Sequence, residues 1–353
     1  MAGPNRKKNQ PEQGANYKAE VAALKAEGPR RLYVLWGQED YLREQFLAQV
    51  KHACLPDGGE DFSLHRFDGA NLDLHRLADA VDAMPFLSER SFIEVRGYDT
   101  NKAPEAEAAQ LTSLISDLPD YCTLAFVMAP DFALDGRLKL SKALKKHGKV
   151  LQFAPQSSDA LVIWVSRRFD ALSKRIARSD AEYLIEITGG LMNRMIPESE
   201  KIASYAKDEV VTRADIDAVT EKTPDAMVFE MTDRLAQGDR DGAMATLSEL
   251  LAMKDAEPIA LLAAIGGQMR RLYAAKICEQ NRVGGSDAME LCDVRYDFLV
   301  QKLQRSARRF SLEALERSVA LCAETDYAMK HTGADDLILL EDALLKIMVE
   351  AGR

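Results

Sequence analysis

The sequence predicts an α/β domain with a mostly parallel sheet, followed by a chain that is helical almost to its end. Short apolar segments of strand length alternate with helically spaced segments up to about residue 154. A strand–glycine–helix unit lies near the start of this alternating region. The strand pattern stops after residues 153–158, a segment that contains Pro155 and two serines.

The five predicted strands lie between residues 32 and 153. Between them, apolar residues recur at helical spacing, as at Leu42, Phe46 and Val50, and Asn71 is available to cap the helix that contains Leu74. Strands that alternate with helices need crossover connections, which make the sheet mostly parallel. The predicted strands are Leu32–Trp36, Ser63–Phe67, Ser91–Val95, Thr123–Met128 and Lys149–Phe153.

The first strand is followed by Gly37 and then by an amphipathic helix that opens at Gln38. A nucleotide-binding α/β domain places its phosphate loop at such a junction, where backbone N–H groups and the helix N-terminus attract an anion. A working P-loop needs two spaced glycines and then Lys with Ser or Thr. Here one glycine precedes two acids, Glu39 and Asp40, so the junction favours a binding or assembly subunit over an enzyme.

The rest of the chain has the spacing of helices. Three or four short helices are expected between Asp159 and Thr223, one closed by Gly189-Gly190 and one starting at Thr212 with Asp215 in capping-box position. Beyond Pro224 the pattern predicts a bundle, with a loop at Gly284-Gly285. Its expected helices are Val228–Ala236, Asp241–Ala252, Pro258–Gln280, Val294–Ala307, Ser311–Thr325 and Asp336–Glu350.

Length and composition limit the possibilities further. A chain of 353 residues is longer than a single hydrophobic core usually supports, so we expect more than one domain. We divide it into a disordered tail at 1–16, an α/β domain at 17–154, a small helical domain at 155–223 and a helical bundle at 224–353. The net charge of −10 argues against a surface that coats nucleic acid throughout but allows a local basic patch. We expect no membrane-spanning helix and no signal peptide.

The search for catalytic and metal-binding motifs is negative. The sequence contains no GxxxxGK[ST], GxSxG or HExxH motif and no CxxC spacing. The five cysteines are scattered, which is typical of reduced, buried thiols in a cytoplasmic protein. We therefore expect no catalytic residue, no metal site and no cofactor in this chain.

Two basic stretches have two interpretations each, a solvated helix face or a contact with nucleic acid. The second stretch, in the predicted bundle, is the better candidate for contact with DNA phosphates. The first comprises Arg137, Lys139, Lys142, Lys145, Lys146 and Lys149, and the second comprises Lys302, Arg305, Arg308 and Arg309.

The segment Met84–Arg90 contains a pair of large apolar residues, Phe86 and Leu87, directly after Pro85. Pro85 disfavours continued helix at Met84. The pair either plugs the edge of the sheet or forms an exposed apolar wedge that inserts into a pocket of a partner. Periodicity leaves both interpretations open.

Several segments together resemble one family, the delta subunit of the bacterial DNA polymerase III clamp loader. The resemblance runs from about Arg31 to the C-terminus and rests on the order and spacing of short motifs. Pro197 and Ser199, which interrupt the middle helix, and Asp293–Tyr296, which lacks a proline, depart from the family pattern. The matching segments are Leu35–Glu39, Ala83–Arg90, Gly189-Gly190 with Glu198, Lys201-Ile202 and Tyr205, Val228-Phe229, Leu235, Gly238-Asp239, Asp326–Lys330 and Leu340-Glu341.

This resemblance implies an AAA+-like α/β domain without a functional P-loop, a small helical lid domain and an all-α collar domain. It implies a non-catalytic subunit of the DNA-directed DNA polymerase (nucleotidyltransferase) holoenzyme, located in the bacterial cytoplasm at the nucleoid-associated replisome. The implied partners are the sliding clamp (beta subunit), the motor subunits (gamma/tau), the delta-prime subunit and primed DNA.

In this family the wedge after the second long helix opens the ring of the sliding clamp. By matching positions, Phe86 and Leu87 become the wedge, and Met84 and Pro85 shape it. The resemblance therefore favours the wedge over the sheet-edge plug.

Two rival interpretations come from the same residues. The first is an NTPase or nucleotide-dependent transferase with a variant phosphate loop. Glu39 and Asp40 argue against it, because their carboxylates stand where negative phosphate would bind. A delta-prime subunit would carry an arginine-finger motif of the Ser-Arg-Cys type and usually a zinc-binding cysteine cluster, and the sequence has neither.

Overall fold

The computed structural model describes residues 16–55, 60–85, 88–253 and 257–351. Contacts divide the chain into two units, which we describe separately. The first unit comprises Met1–Gln156 with Leu191–Asn193, and the second comprises Ser157–Gly190 with Arg194–Arg353.

The first unit contains a parallel five-stranded sheet in the order β2-β3-β4-β1-β5, which confirms the predicted α/β class. The strands start or end within one residue of their predicted positions. Val34 in β1 lies opposite Phe126 in β4 and Val150 in β5. The strands are β1 (Leu32–Trp36), β2 (Leu64–Asp68), β3 (Ser91–Arg96), β4 (Cys122–Val127) and β5 (Lys149–Gln152).

Helices alternate with these strands, and side-chain caps mark the starts of two of them, α1 and α4. Asn16 caps α1, and its side chain accepts a hydrogen bond from the N–H of Ala19. The predicted cap Asn71 is wrong: it lies in a 3₁₀ turn, and Asp73 caps α4 by accepting from His75 and Arg76. The helices are α1 (Tyr17–Glu27), α2 (Asp40–Cys54), α3 (Glu60–Ser63), α4 (Leu74–Asp82), α5 (Glu105–Ser116) and α6 (Lys139–His147).

The core of the first unit lies around the central strands. Leu32, Val34, Leu124 and Phe126 are fully or almost fully buried. Strands that are covered on both faces have continuous apolar sequences. For this reason the sequence predicted the bounds of these strands to within one residue.

The second unit is mostly helical, as predicted. The left-handed Gly189 at the end of α8 and the capping box of Thr212 and Asp215 at α10 are confirmed. The helices are α7 (Ser158–Ala171), α8 (Arg178–Thr188), α9 (Met192–Tyr205), α10 (Arg213–Val219), α11 (Pro224–Gln237), α12 (Arg240–Leu251), α13 (Pro258–Gln280), α14 (Gly285–Leu291), α15 (Asp297–Ala307), α16 (Leu312–His331) and α17 (Asp336–Ala351).

Three details of this unit differ from the sequence expectation. Two short strands, β6 (Arg175–Ile176) and β7 (Val210–Val211), pair in parallel where no strand was expected. Helix α14 follows Gly284, in a region expected to be a loop. Helix α9 continues through Pro197, and the buried Ser199 hydroxyl donates to the C=O of Met195 at 2.7 Å.

Helix α13 lies at the centre of the second core. Leu262, Ile265, Met269 and Leu272 are buried along it. A Cβ added at Gly266 would approach the Cβ of Cys322 to 3.2 Å, so the glycine allows α13 and α16 to pack closely. Residues on both sides of position 223 belong to this one unit, and the division into lid and collar domains stays a prediction.

Candidate functional site

Gly37 joins β1 to α2 in a conformation that only glycine adopts easily. Its φ is +117°, and an added Cβ would lie 2.3 Å from the carbonyl oxygen of Phe153. The N–H of Glu39 donates to that same carbonyl at 3.0 Å. The glycine therefore allows the junction to pack against the end of β5.

Two acids follow this glycine, and both lie against the start of α2. Glu39 is 0% exposed, and neither of its carboxylate oxygens has a hydrogen-bond partner within the described residues. Burial is the main cause that raises the pKa of Glu39 to about 7, and the neighbouring Asp40 carboxylate acts in the same direction. The helix N-terminus thus faces a carboxyl group of the chain itself.

Arg43 completes the junction. Its guanidinium is buried, pairs with Asp40 at 2.8 Å and donates to the C=O of Gly37 at 3.2 Å. The Arg43 guanidinium is therefore occupied by contacts with Asp40 and the Gly37 carbonyl, both of which belong to the chain itself. The arrangement differs from a P-loop, in which a lysine and backbone N–H groups face a phosphate.

The predicted wedge lies only partly in the described structure. Met84 follows α4 and is 80% exposed, and Pro85 is half-buried. Phe86 and Leu87 lie outside the described residues. The hydroxyl of Tyr121 donates to the C=O of Asp82 at 3.0 Å, which fixes the last turn of α4 before the segment begins.

The far side of this segment is anchored to the short helix α3. The Ser88 hydroxyl donates to the C=O of Arg90 at 2.9 Å and lies 2.7 Å from the hydroxyl oxygen of Ser63. Next to Ser63, Phe62 is 60% exposed. Phe62 is not among the residues expected from the sequence, since only the contact between Ser63 and Ser88 brings α3 beside the segment.

The basic residues on and near α6 lie on a surface face. Lys139, Lys142, Lys145 and Lys146 are exposed. At the ends of this stretch, Arg137 pairs with Asp135 at 2.7 Å and Lys149 pairs with Glu20 at 3.0 Å.

The second basic stretch divides into two parts. Lys302, Arg305 and Arg309 line one groove in the second unit, together with Arg213 of α10, which sequence analysis missed. Arg308 is not part of this lining and pairs with Glu279 at 2.6 Å. The role of the four predicted residues in DNA contact stays a prediction.

No helix in the described part of the chain is long and apolar enough to span a membrane. The same described ranges contain no group of three or more His, Cys, Asp or Glu side chains that could hold a metal ion. The five cysteines are buried and form no disulfide.

Comparisons with known proteins agree over almost the whole chain. Residues 33–154 match the sequence model of the family "DNA polymerase III, delta subunit", and residues 225–347 match that of "DNA polymerase III delta subunit, C-terminal domain". Together the two models cover both the sheet domain and the helical bundle.

Two relatives extend this match over about nine tenths of the chain. The DNA polymerase III subunit delta of Bacillus subtilis is 26% identical over 324 residues, which cover 90% of this chain and 92% of the relative. The probable DNA polymerase III subunit delta of Aquifex aeolicus is 22% identical over 320 residues, covering 89% and 90%.

A solved structure has the same fold. The DNA clamp loader delta protein of Bacillus subtilis superposes with a TM-score of 0.55 at 24% identity, covering 94% of this chain and 99% of that one. The predicted fold class, an α/β domain with a parallel sheet followed by a mostly helical region, is confirmed at this level.

Proposed function

This chain belongs to the family of clamp-loader delta subunits of bacterial DNA polymerase III, and from that premise we propose that it binds the sliding clamp and opens its ring. The binding surface is the segment after α4, in which Phe86 and Leu87 form an apolar wedge and Met84 and Pro85 shape it. The opened clamp is then loaded on primed DNA.

The observation that carries this proposal is the exposed side chain of Met84, two residues after the end of α4. Met84 is largely in solvent although its side chain is large and apolar, and the structure offers it no covering element among the described residues. Phe62 adds a second exposed apolar side chain beside the same segment. A contiguous exposed apolar patch is typical of a protein-binding surface, and in this proposal Met84 and Phe62 belong to one that includes the wedge.

In this proposal the wedge shifts the equilibrium between the closed and the open clamp. A ligand that binds an open clamp interface better than a closed one moves the equilibrium by the difference in affinity. Burying two large apolar side chains is worth about 3–6 kcal/mol before the costs of association. That energy is available without nucleotide chemistry in this chain, because the contact is made by burial alone.

The helical bundle supplies the remaining partners in this proposal. Residues 224–353 form the collar that joins the motor subunits (gamma/tau) and the delta-prime subunit. The Asp326 carboxylate pairs with Lys330 at 2.8 Å on the exposed face of α16, as their spacing predicted. ATP in the neighbouring subunits would control access to the wedge.

Capture of purified sliding clamp by the immobilised full-length chain tests this function. The parent chain and an Ile163→Ser variant should capture the clamp equally, since Ile163 is an exposed apolar residue on α7, in the second unit. A Met84→Ser variant should capture it more weakly. Failure of the parent chain to capture the clamp would contradict the proposal.

A further inference from the structure

A cleft of about 740 Å³ follows the open edge of the sheet in the first unit, and we call it the β5 cleft. Strand β5 stands at one end of the strand order, with β1 as its neighbour. All four residues of β5 line the cleft, together with Glu20 of α1 and Lys145 of α6. The cleft therefore runs along the edge strand between these two helices.

The backbone of β5 has unused hydrogen-bonding groups at this edge. The N–H of Phe153, directly after the strand, donates to the C=O of Trp36 in β1 at 2.7 Å. Alternate residues of a parallel pair bond to the same neighbour, so Leu151 also bonds to β1, whereas Val150 and Gln152 point to the open edge. In the described ranges, no group outside the ladder bonds to the N–H or C=O of these two residues. A further strand can therefore add to the sheet at β5.

One wall of the β5 cleft is apolar. Trp36, Leu134 and Val150 are half-buried there and pack in the same cluster as Leu144 of α6, so they lie on the α6 face of the sheet. The ring of Phe132 meets the Trp36 indole edge-on, with centroids 6.1 Å apart and planes at 82°, which fixes the orientation of the indole. An apolar side chain of an added strand would pack against this wall.

The charge left without a partner in the β5 cleft is positive. Glu20, the acidic side chain of its lining, already pairs with Lys149 at 3.0 Å. Lys145 is exposed and makes no ion pair within the part of the chain that the structure describes. Lys142 and Lys146 are also exposed on α6 and add to the positive potential beside the cleft. An acidic side chain is therefore the complement of the α6 wall.

Unpaired backbone groups, an apolar wall and a free lysine together fit one mode of recognition, in which an extended peptide adds to the edge of a sheet. Backbone hydrogen bonds then supply affinity, and contacts with alternate side chains supply specificity. Trp36 and Lys145 both belong to the α6 face, and alternate residues of an extended chain share one face. The matching peptide therefore carries an apolar and an acidic residue two positions apart.

We propose that the β5 cleft binds an extended acidic segment of a partner protein. The segment pairs with the backbone of Val150 and Gln152 and places an apolar side chain against Trp36 and a carboxylate beside Lys145. This site goes beyond the proposed function and does not depend on it, because it is built from residues other than the segment after α4.

Fluorescence anisotropy of a labelled peptide with the full-length chain tests the cleft. The probe is two repeats of Val-Thr-Glu-Thr, in which valine and glutamate share one face of an extended chain. The same peptide with lysine in place of glutamate should bind at least about tenfold more weakly. A version with proline at its two central positions should show no saturable binding, because in either register one N–H needed for the ladder is missing.

A charge reversal in the protein tests the role of α6. Lys145→Glu should weaken binding of the acidic peptide about tenfold and strengthen binding of the lysine peptide. The matched control is Lys142→Glu, the same change at an exposed position of α6 that does not line the cleft. It should alter the affinity less than about twofold at 0.15 M salt, where charges are screened over about 8 Å. Both variants should melt at the temperature of the parent.

Amide hydrogen exchange locates the bound peptide. Exchange in residues 149–152 should slow when the acidic peptide is added, since the outward N–H groups of Val150 and Gln152 become bonded. Unchanged exchange at β5, equal losses in Lys142→Glu and Lys145→Glu, or no saturable binding at millimolar peptide would overturn the proposal.

Three other results assign the edge differently or separate the two proposals. A dimer of the chain that protects β5 without peptide would give the edge to a second copy and overturn the proposal. Displacement of the peptide by dT20 at equal charge concentration would give the lysines to a nucleic acid, with the same consequence. Clamp capture should be equal in the parent and in Lys145→Glu, so a failure of either proposal leaves the other standing.

Discussion

Glu39 places a carboxyl group of the chain at the helix N-terminus where a phosphate loop would hold a ligand. Its side chain is fully buried without a hydrogen-bond partner in the described structure, and burial raises its pKa to about 7. The folded chain therefore binds a proton at Glu39 more tightly than the unfolded chain, whose carboxyl has a pKa near 4.5. By linkage, the contribution of Glu39 to stability falls as the pH rises from 4.5 to 7.

We predict that Glu39→Gln raises the free energy of unfolding relative to the parent at pH 8. The difference should grow by about 3 kcal/mol between pH 4.5 and pH 8, because glutamine has no charge to bury and one pKa unit corresponds to about 1.4 kcal/mol. Urea unfolding of both proteins across this range measures it. The control Glu105→Gln, at an exposed position on α5, should show no such pH-dependent gain. A Glu39→Gln difference independent of pH would contradict the assigned pKa.

At the scale of elements, the junction after β1 has the architecture of a phosphate loop with other side chains in it. Gly37 packs under the carbonyl of Phe153, and Arg43 is held by Asp40 and the C=O of Gly37. Neither a phosphate-binding lysine nor a hydroxyl for magnesium follows the glycine.

Titration of the full-length chain with a fluorescent ATP analogue should therefore show no saturable binding, with or without magnesium. Glu39→Gln should behave in the same way, because removing one acid supplies neither the lysine nor the second glycine. Magnesium-dependent binding at micromolar concentration would revive the interpretation as a nucleotide-dependent enzyme.

The sequence predicted the five strands of the first unit within one residue, because buried parallel strands are continuous apolar runs between turn residues. It missed β6 and β7, since two residues are too few for a period of two to be visible. It also predicted Asn71 as the cap of α4, whereas the structure uses Asp73, because both are good capping residues and only the backbone path separates them.

The sequence also predicted only some of the residues at the candidate sites. Motif order suggested the wedge segment, which stays a prediction. Phe62 and Arg213 became visible only through the tertiary structure, which brings α3 beside Ser88 and α10 to the groove. Sequence alone also grouped Arg308 with Arg309, although their side chains have different surroundings.

At the scale of the whole molecule, the proposal assigns clamp binding to the first unit and assembly to the helical bundle. A chain ending at Thr223 should therefore still capture the clamp but fail to co-elute with the motor subunits. Its melting temperature should fall, because residues such as Gly190 pack against Tyr296 of the missing bundle. Gel filtration with purified motor subunits measures assembly, and co-elution of the shortened chain would contradict the assignment.

The central claim is that Phe86 and Leu87 carry the clamp contact, and one double variant tests it most directly. Changing both residues to Ser should weaken clamp affinity by about 4 kcal/mol or more, as hot-spot truncations commonly cost 2 kcal/mol or more each. If the pair is the wedge, the melting temperature should stay close to that of the parent, since a wedge that inserts into a partner has little burial within its own chain to lose. If the pair instead plugs the sheet edge, each change should cost about 2–5 kcal/mol of folding stability. Clamp affinity and melting temperature, measured on the same sample, separate the two outcomes. A variant that melts far below the parent while its folded fraction binds the clamp normally would contradict the wedge.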